Sequence, residues 1–326
     1  MKIRSILSAL VLVCAFTANA EETDGANAMA RVQLAAANVP GDLLSDAYLV
    51  EMLDVQLQVN ASGDSLDPAL LEEMMTTRDR LRQRVDVGLQ DEPALLATLG
   101  NCLGRYKDGS DCADRMQRMA EAAHANGYYH FVLANVAADE GDAEGFSREV
   151  AKMRESKVFT PVFLAVFSSL YERYRRVPDA LWRQGEDPYG PVAGAGVLAM
   201  AQAAAVALPA YSKLLRFCDA AEGETRQDCY AVGKQLARTS PVLLEQGIGL
   251  ALLEKLGDES DLAMVRERRR EVRWLQGALA GFDEQLDDSQ MGQYFDIFAR
   301  EGEFAAIRYA ATAMGRSLQP PVDWQP

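Results

Sequence analysis

The chain has 326 residues, with 33 Lys+Arg against 48 Asp+Glu, five cysteines and two histidines, for a formal net charge of −15. Its apolar fraction of 49% is that of an ordinary folded protein, and a chain this long buries a core without help from a metal or cofactor. The acidic balance argues against nucleic acid and anionic lipid, which both demand a cationic surface. With His124 and His130 as the only imidazoles, a two-histidine metal motif has almost no material.

Residues 1–20 read as a cleavable secretory signal peptide. Lys2 and Arg4 precede an apolar stretch, Ile6 to Phe16, too short to span a bilayer, and Ala18-Asn19-Ala20 supplies small residues at −3 and −1. Cleavage after Ala20 would leave 306 residues with 31 cationic against 48 acidic side chains, in the bacterial-type periplasm or secreted. Cys14 follows Val11-Leu12-Val13, where a lipobox wants small residues, so it reads as an ordinary apolar residue of the signal.

From there the chain is read as all-α, with helical periodicity throughout and no sustained strand alternation. Helices are expected near 25–38, 42–58, 68–86, 93–105, 111–124, 127–139, 143–155, 161–176, 192–217, 229–238, 241–256, 259–280, 288–300 and 303–316. Three starts are marked by a cap residue before proline: Asp67-Pro68, Thr160-Pro161 and Ser240-Pro241. After Thr160-Pro161, Phe163, Val166, Phe167, Leu170, Tyr171 and Tyr174 form an apolar stripe. Glu172, Arg173, Arg175 and Arg176 follow toward the end, a cationic last turn that suits the helix dipole.

Gln184–Gly196, with four glycines and two prolines, is the candidate hinge between an N-terminal helical module (21–183) and a C-terminal one (197–326). Val192–Leu208 carries no charge, but it is rich in Ala and Gly, holds Gln202 and is followed by Pro209. It is expected as a buried central helix rather than a membrane span.

Signal removal leaves four cysteines, an even number that in an exported chain points to disulfides. Cys102-x9-Cys112 and Cys218-x10-Cys229 are similar short loops, and Asp111-Cys112 matches Asp228-Cys229. Gly141-Asp142 and Gly257-Asp258 follow at matching distances, so the copies lie 116 to 117 residues apart throughout. This is the pattern of an internal duplication in which each pair, Cys102–Cys112 and Cys218–Cys229, clips one helix to the next. Redox and zinc sites favour the tighter Cys-x-x-Cys spacing, which is absent.

Leu133-Ala134-Asn135-Val136-Ala137-Ala138-Asp139-Glu140-Gly141-Asp142 resembles the core of a tetratricopeptide repeat, with a Leu and a small residue opening the contact face before a Gly-Asp turn. Phe295–Met314 looks like the same turn again, through Gly302-Glu303-Phe304, and Leu256-Gly257-Asp258 is a third case. Ala137 and Leu253 stand where the family prefers an aromatic, and Phe146 and Leu262 where it wants Ala. The turns fall 116 and 45 residues apart rather than at a regular 34. The resemblance covers about a quarter of the mature chain. It implies stacked antiparallel helical hairpins and a binding or scaffolding role, and it transfers no functional residue.

Local chemistry is sparse. Tyr128-Tyr129-His130-Phe131 reads as a core aromatic stripe with a surface or hydrogen-bonded histidine, set apart from His124 by Gly127. Asp108, Asp111 and Asp114 lack the glycine and closing Glu of a calcium loop, and Asp283, Glu284, Asp287 and Asp288 read as a solvated interhelical turn. No nucleophile elbow, Walker loop or dinucleotide fingerprint in context occurs. No catalytic, cofactor-binding or metal-ligating residue is therefore assigned. The expectation is an exported helical-repeat protein that binds or scaffolds a protein or peptide partner in the envelope, with no membrane span in the mature chain. The alternative is an enzyme acting on an envelope polymer through carboxylates placed by tertiary structure.

Overall fold

The structure, a computed structural model, describes residues 22–60, 66–88, 126–183, 190–207 and 211–325. Among the described residues the fold is all-α, without strands; an isolated bridge joins Asn126 and Val158. The chain divides into two compact units, each discontinuous in sequence: residues 1–100 with 165–208, and residues 101–164 with 209–326.

In unit 1, α1 (Glu22–Asn38), α2 (Leu43–Asn60) and α3 (Pro68–Gly88) pack pairwise. Asp67 caps α3 as its Asp-Pro start predicts, its carboxylate accepting the Ala69 amide at 2.9 Å. Across the α2–α3 hairpin, Asp54 takes Arg78 at 3.4 Å and Arg82 at 2.6 Å. Helix α6 (Val162–Tyr174) enters the unit at Ala165 and leads to the short α7 (Asp179–Trp182) and to α8 (Pro191–Ala207).

No described residue of α8 is exposed. Ala195, Ala199 and Ala203, spaced by four, are fully buried, and Gln202 accepts the Tyr174 hydroxyl at 2.8 Å. Small residues let neighbouring elements close on this helix, and among the described residues no helix is long and apolar enough to cross a membrane. Residues 191–196 of the expected hinge open α8; residues 184–189 lie outside the described residues.

Unit 2 is a set of hairpins: α4 (Gly127–Glu140) with α5 (Ala143–Glu155), α10 (Gly223–Thr239) with α11 (Leu243–Leu256), α11 with α12 (Glu259–Ala278), and α14 (Asp288–Glu301) with α15 (Glu303–Ala313). Helix α9 (Tyr211–Ala220) packs on α4, α10 and α11, and the single turn α13 (Phe282–Gln285) follows α12. Stacked rings join α9 to the first hairpin, Phe131 on Tyr211 at 4.6 Å and Phe146 on Phe217 at 4.5 Å. Glycine sets the spacing of α10 and α11: a Cβ on Gly249 would lie 2.3 Å from the Ala237 nitrogen.

The 116-residue offset recurs in these elements. Helices α4 and α11 both run 14 residues, from Gly127 and Leu243, and α5 and α12 start at Ala143 and Glu259. Asp142 and Asp258 each cap the second helix, accepting amides of Gly145 and of Ser260 and Asp261.

Two other starts lie later than the sequence suggests. Thr160 pairs through its backbone with the Asn126 side chain (2.9 and 3.0 Å), and α6 opens at Val162. Ser240 turns its hydroxyl to Glu245, and α11 opens at Leu243. The stretch 192–217, expected as one helix, is divided between α8 and α9.

Candidate functional site

The α1–α2 turn, residues 39–42, and the first turn of α2 face a ladder on α6 in which residues 165, 168, 169, 172 and 173 recur at helical spacing. Together they line an open cavity of about 620 Å³, entirely within unit 1. Asp42 organises its near wall. Its Oδ1 accepts the Ser45 amide (2.8 Å), the Ser45 hydroxyl (2.6 Å) and, from α6, the Ser169 hydroxyl (2.5 Å). Burial pushes the Asp42 carboxyl up, but the serine donors and the Arg173 charge outweigh it and hold the group below the usual aspartate value.

Arg173 lines the same cavity at 1% exposure. Its Nη2 donates to the carboxylate of Asp46, which is fully buried, and to the Asp42 carbonyl at 3.2 Å. Arg84 Nη2 stands 3.1 Å from the second Asp46 oxygen and donates to the Gly41 carbonyl at 3.3 Å. Arg80 and Arg176 donate to the carbonyls of Ala37 and Pro40, so guanidinium groups surround the C-terminal end of α1 where the helix dipole favours them. A Cβ on Gly41 would lie 1.9 Å from Arg173 Nε, so only glycine admits the guanidinium here.

Nε and Nη1 of Arg173 have no acceptor among the described residues. A buried charged donor left without a partner is costly, and such groups call for a water, an ion or a ligand. In the sequence Arg173 reads as part of a cationic last turn; the structure places it in that last turn and buries it. Its position three residues after Leu170 and seven after Val166, on the buried stripe, is the sequence signal that marks it.

Unit 2 holds a second cluster of buried polar groups. Glu245 is 2% exposed, and its oxygens accept the hydroxyls of Tyr211 (2.5 Å) and Ser240 (2.6 Å). Glu303 is half-buried, accepts the Leu243 amide at 2.8 Å, and its own amide donates to the Pro241 carbonyl at 2.9 Å. Burial pushes both carboxyls up to about 7; for Glu245 the Ser240 and Tyr211 hydroxyls oppose the rise and the neighbouring Glu303 adds to it. Neither residue lines the cavity.

His130 is buried and hydrogen-bonded, its Nδ1 2.9 Å from Glu149, which also accepts Lys152 at 2.9 Å. Burial pushes the Glu149 carboxyl up, but these two partners outweigh it and hold it below the usual glutamate value. Tyr128, Phe131 and Phe159 pack ring against ring. Asp287 of the acidic turn caps α14 through a capping box with Gln290, while Glu284 is exposed.

Cys218 near the end of α9 and Cys229 within α10 stand at disulfide distance, both fully buried, with a Cα–Cα separation of 5.7 Å. The expected signal peptide, residues 1–20, together with Cys102, Cys112, His124 and the Asp108–Asp114 loop, lies outside the described residues. Among the described residues no group of three or more His, Cys, Asp or Glu side chains is placed to hold a metal. No protein-family model, curated protein or solved structure matches this chain.

Proposed function

We propose that this chain is an exported helical-hairpin protein with a binding or scaffolding role in the bacterial-type periplasm or envelope, and that the unit 1 cavity is its binding site. The observation that carries this reading is Arg173: a buried guanidinium on a cavity wall with two nitrogens lacking acceptors among the described residues. A volume of about 620 Å³ suits a small molecule or the end of a larger one. The hairpin turns at Gly141, Gly257 and Gly302 support the tetratricopeptide-like character expected of a binding protein, and the buried Cys218–Cys229 pair supports export.

Ala165 lines the cavity from an exposed position, so Ala165→Trp fills the space without disturbing a core. Fractions of a periplasmic extract should contain a component that raises the unfolding midpoint of the wild type and leaves that of Ala165→Trp unchanged. Equal shifts in both proteins would remove the cavity as the binding site.

The second reading, an enzyme acting on an envelope polymer, draws on Glu245 and Glu303, whose raised pKa values suit proton transfer near neutral pH. The oxygens of Glu245 are occupied by Tyr211 and Ser240, and neither carboxyl lines the cavity, which favours binding over catalysis.

A further inference from the structure

Independently of the cavity, we propose that the face of α12 bearing Arg270 and Trp274 is a docking surface for short proline-containing peptide segments, and that residues 317–324 of the chain are its intramolecular occupant. These residues follow α15 and the turn at Gly315, all within unit 2. They run along α12 against its direction. Arg316 donates to the carbonyls of Ala278 and Ala280, the Ser317 carbonyl meets Trp274, and the carbonyls of Pro321, Val322 and Trp324 meet Arg270. Positions 270, 274 and 278 recur at a spacing of four, so these contacts follow one helix face over about two turns.

What this face offers is donors alone. Trp274 Nε1 donates to the Ser317 carbonyl at 2.8 Å, and Arg270 Nε to the Trp324 carbonyl at 3.1 Å. Arg270 Nη2 donates to the Pro321 carbonyl and to that of Val322 at 3.3 Å, while Nη1 is braced by Glu267 at 3.4 Å. Indole and guanidinium groups donate and never accept. Pro320 and Pro321 have no N–H, so a Pro-Pro step presents acceptors alone and complements such a face. It also has little conformational freedom to lose on docking, the property aromatic-lined grooves exploit in proline-rich ligands. Leu318 adds apolar contact with the Leu243, Leu275 and Ile307 cluster, and Trp324 meets Trp274 edge to face at 5.4 Å. Other hydrogen bonds of the segment close within it: the Trp324 amide to the Pro321 carbonyl, the Gln319 amide to the Ser317 hydroxyl, and that hydroxyl to the Gln319 carbonyl. From Ser317 to Gln325 no residue is buried. Beyond Arg316 the segment thus touches unit 2 as a separate peptide would, through carbonyls on two side chains and through two apolar anchors.

The test frees this face in the full chain. Pro320→Gly, Pro321→Gly and Trp324→Ala are combined to loosen the segment, and a fluorescein-labelled peptide of residues 316–325 is titrated by anisotropy. The peptide should bind this triple variant at least roughly tenfold more tightly than the wild type, whose own segment competes from an effective concentration of about millimolar. Trp324→Ala alone, the milder change, should give a smaller gain in the same direction. Arg270→Ala, added to either variant, should weaken the peptide roughly tenfold by removing its carbonyl donors. A peptide with glycine at both proline positions should bind about fivefold more weakly. Equal affinity for wild type and variants, binding no tighter than that of a scrambled peptide, or indifference to Arg270→Ala would overturn the assignment. Sedimentation of the unlabelled chains checks the other occupant. A wild type that dimerises with rising concentration, beside variants that do not, would make a second copy the occupant and overturn docking of separate peptides.

Discussion

In unit 1 the most deeply buried charges are of opposite sign, Arg173 at 1% exposure and Asp46 at 0%, whereas unit 2 holds two carboxyls with raised pKa values, the buried Glu245 and the half-buried Glu303, in contact with hydroxyl and amide donors. Removing a charge from water is costly in both places, and the two units offset that cost differently. The ion pair of unit 1 cancels its charge through a partner, yet two arginine donors go without acceptors among the described residues. The carboxyls of unit 2 cancel theirs by holding protons up to about pH 7 while hydroxyl and amide donors occupy their oxygens. On the binding role proposed above, a buried charge that is paired but short of hydrogen bonds is where a ligand would dock. A buried acid that is neutral and hydrogen-bonded marks a place in the architecture.

The largest expected effect breaks the pair. Asp46→Ala leaves the buried Arg173 guanidinium with the Asp42 carbonyl as its acceptor and the Asp42 carboxylate as its neighbouring charge, and should cost about 3 kcal/mol in urea unfolding, the low end of the usual penalty for removing one member of a buried pair. Changing both, Asp46→Leu with Arg173→Met, should recover much of that loss while abolishing ligand binding. A double variant as unstable as Asp46→Ala would show that shape rather than charge governs this site.

Glu245 gives the next largest effect, through pH. Between the ordinary glutamate value of 4.5 and about 7 the folded chain holds a proton that the unfolded chain has released, so stability falls as pH rises through that window and is level on either side. At about 1.4 kcal/mol for each pH unit of that window, the fall attributable to Glu245 is about 3 kcal/mol. Glu245→Gln, which keeps the shape and never ionises, should remove roughly half of the decline in that window, Glu303 keeping its own share. An unchanged slope in the variant would assign the effect elsewhere.

Much of the fold is legible in the sequence because its signals are local. Residues 143–155 are expected as a helix and observed as one, since Asp142 caps the helix within a single turn and Ser156 ends it. The buried role of α8 follows from small residues at a spacing of four. The Thr160 start is displaced by one residue and the Ser240 start by two because both positions bond to other side chains: Asn126 in one case, Glu245 in the other. The site is less legible for the same reason carried further. Arg173 meets Asp46 across 127 positions and Glu303 meets Leu243 across 60, so what each side chain does is set by tertiary contacts that periodicity does not encode.

A smaller effect tests how far the arginine depends on a missing side chain. Gly41→Ala places a methyl 1.9 Å from Arg173 Nε and must displace the guanidinium or the turn. It should cost about 2 kcal/mol, within the usual range for overpacking, and weaken whatever the cavity binds. Stability and binding both unchanged would mean that the turn gives way and that Gly41 does not set the position of Arg173.

The smallest effect asks whether the rule belongs to the units or to the pairing. Glu149 sits in unit 2 with Glu245, 7% exposed, but it has basic partners in His130 and Lys152, and its carboxyl is held below rather than above the usual value. A lowered acid contributes stability above its unfolded value and loses it as pH falls through the folded one, the opposite sense to Glu245. Glu149→Gln should therefore cost about 1 kcal/mol at neutral pH, erase part of the acid-side loss, and leave the decline between 4.5 and about 7 in place. If the variant instead removed that decline, the two carboxyls would titrate as one network and pairing would not be what separates them. If it changed only the acid limb, two glutamates of one unit would respond to pH in opposite directions because only Glu149 has basic side chains against it, and the contrast between the units would reduce to whether a buried charge finds a partner of opposite sign.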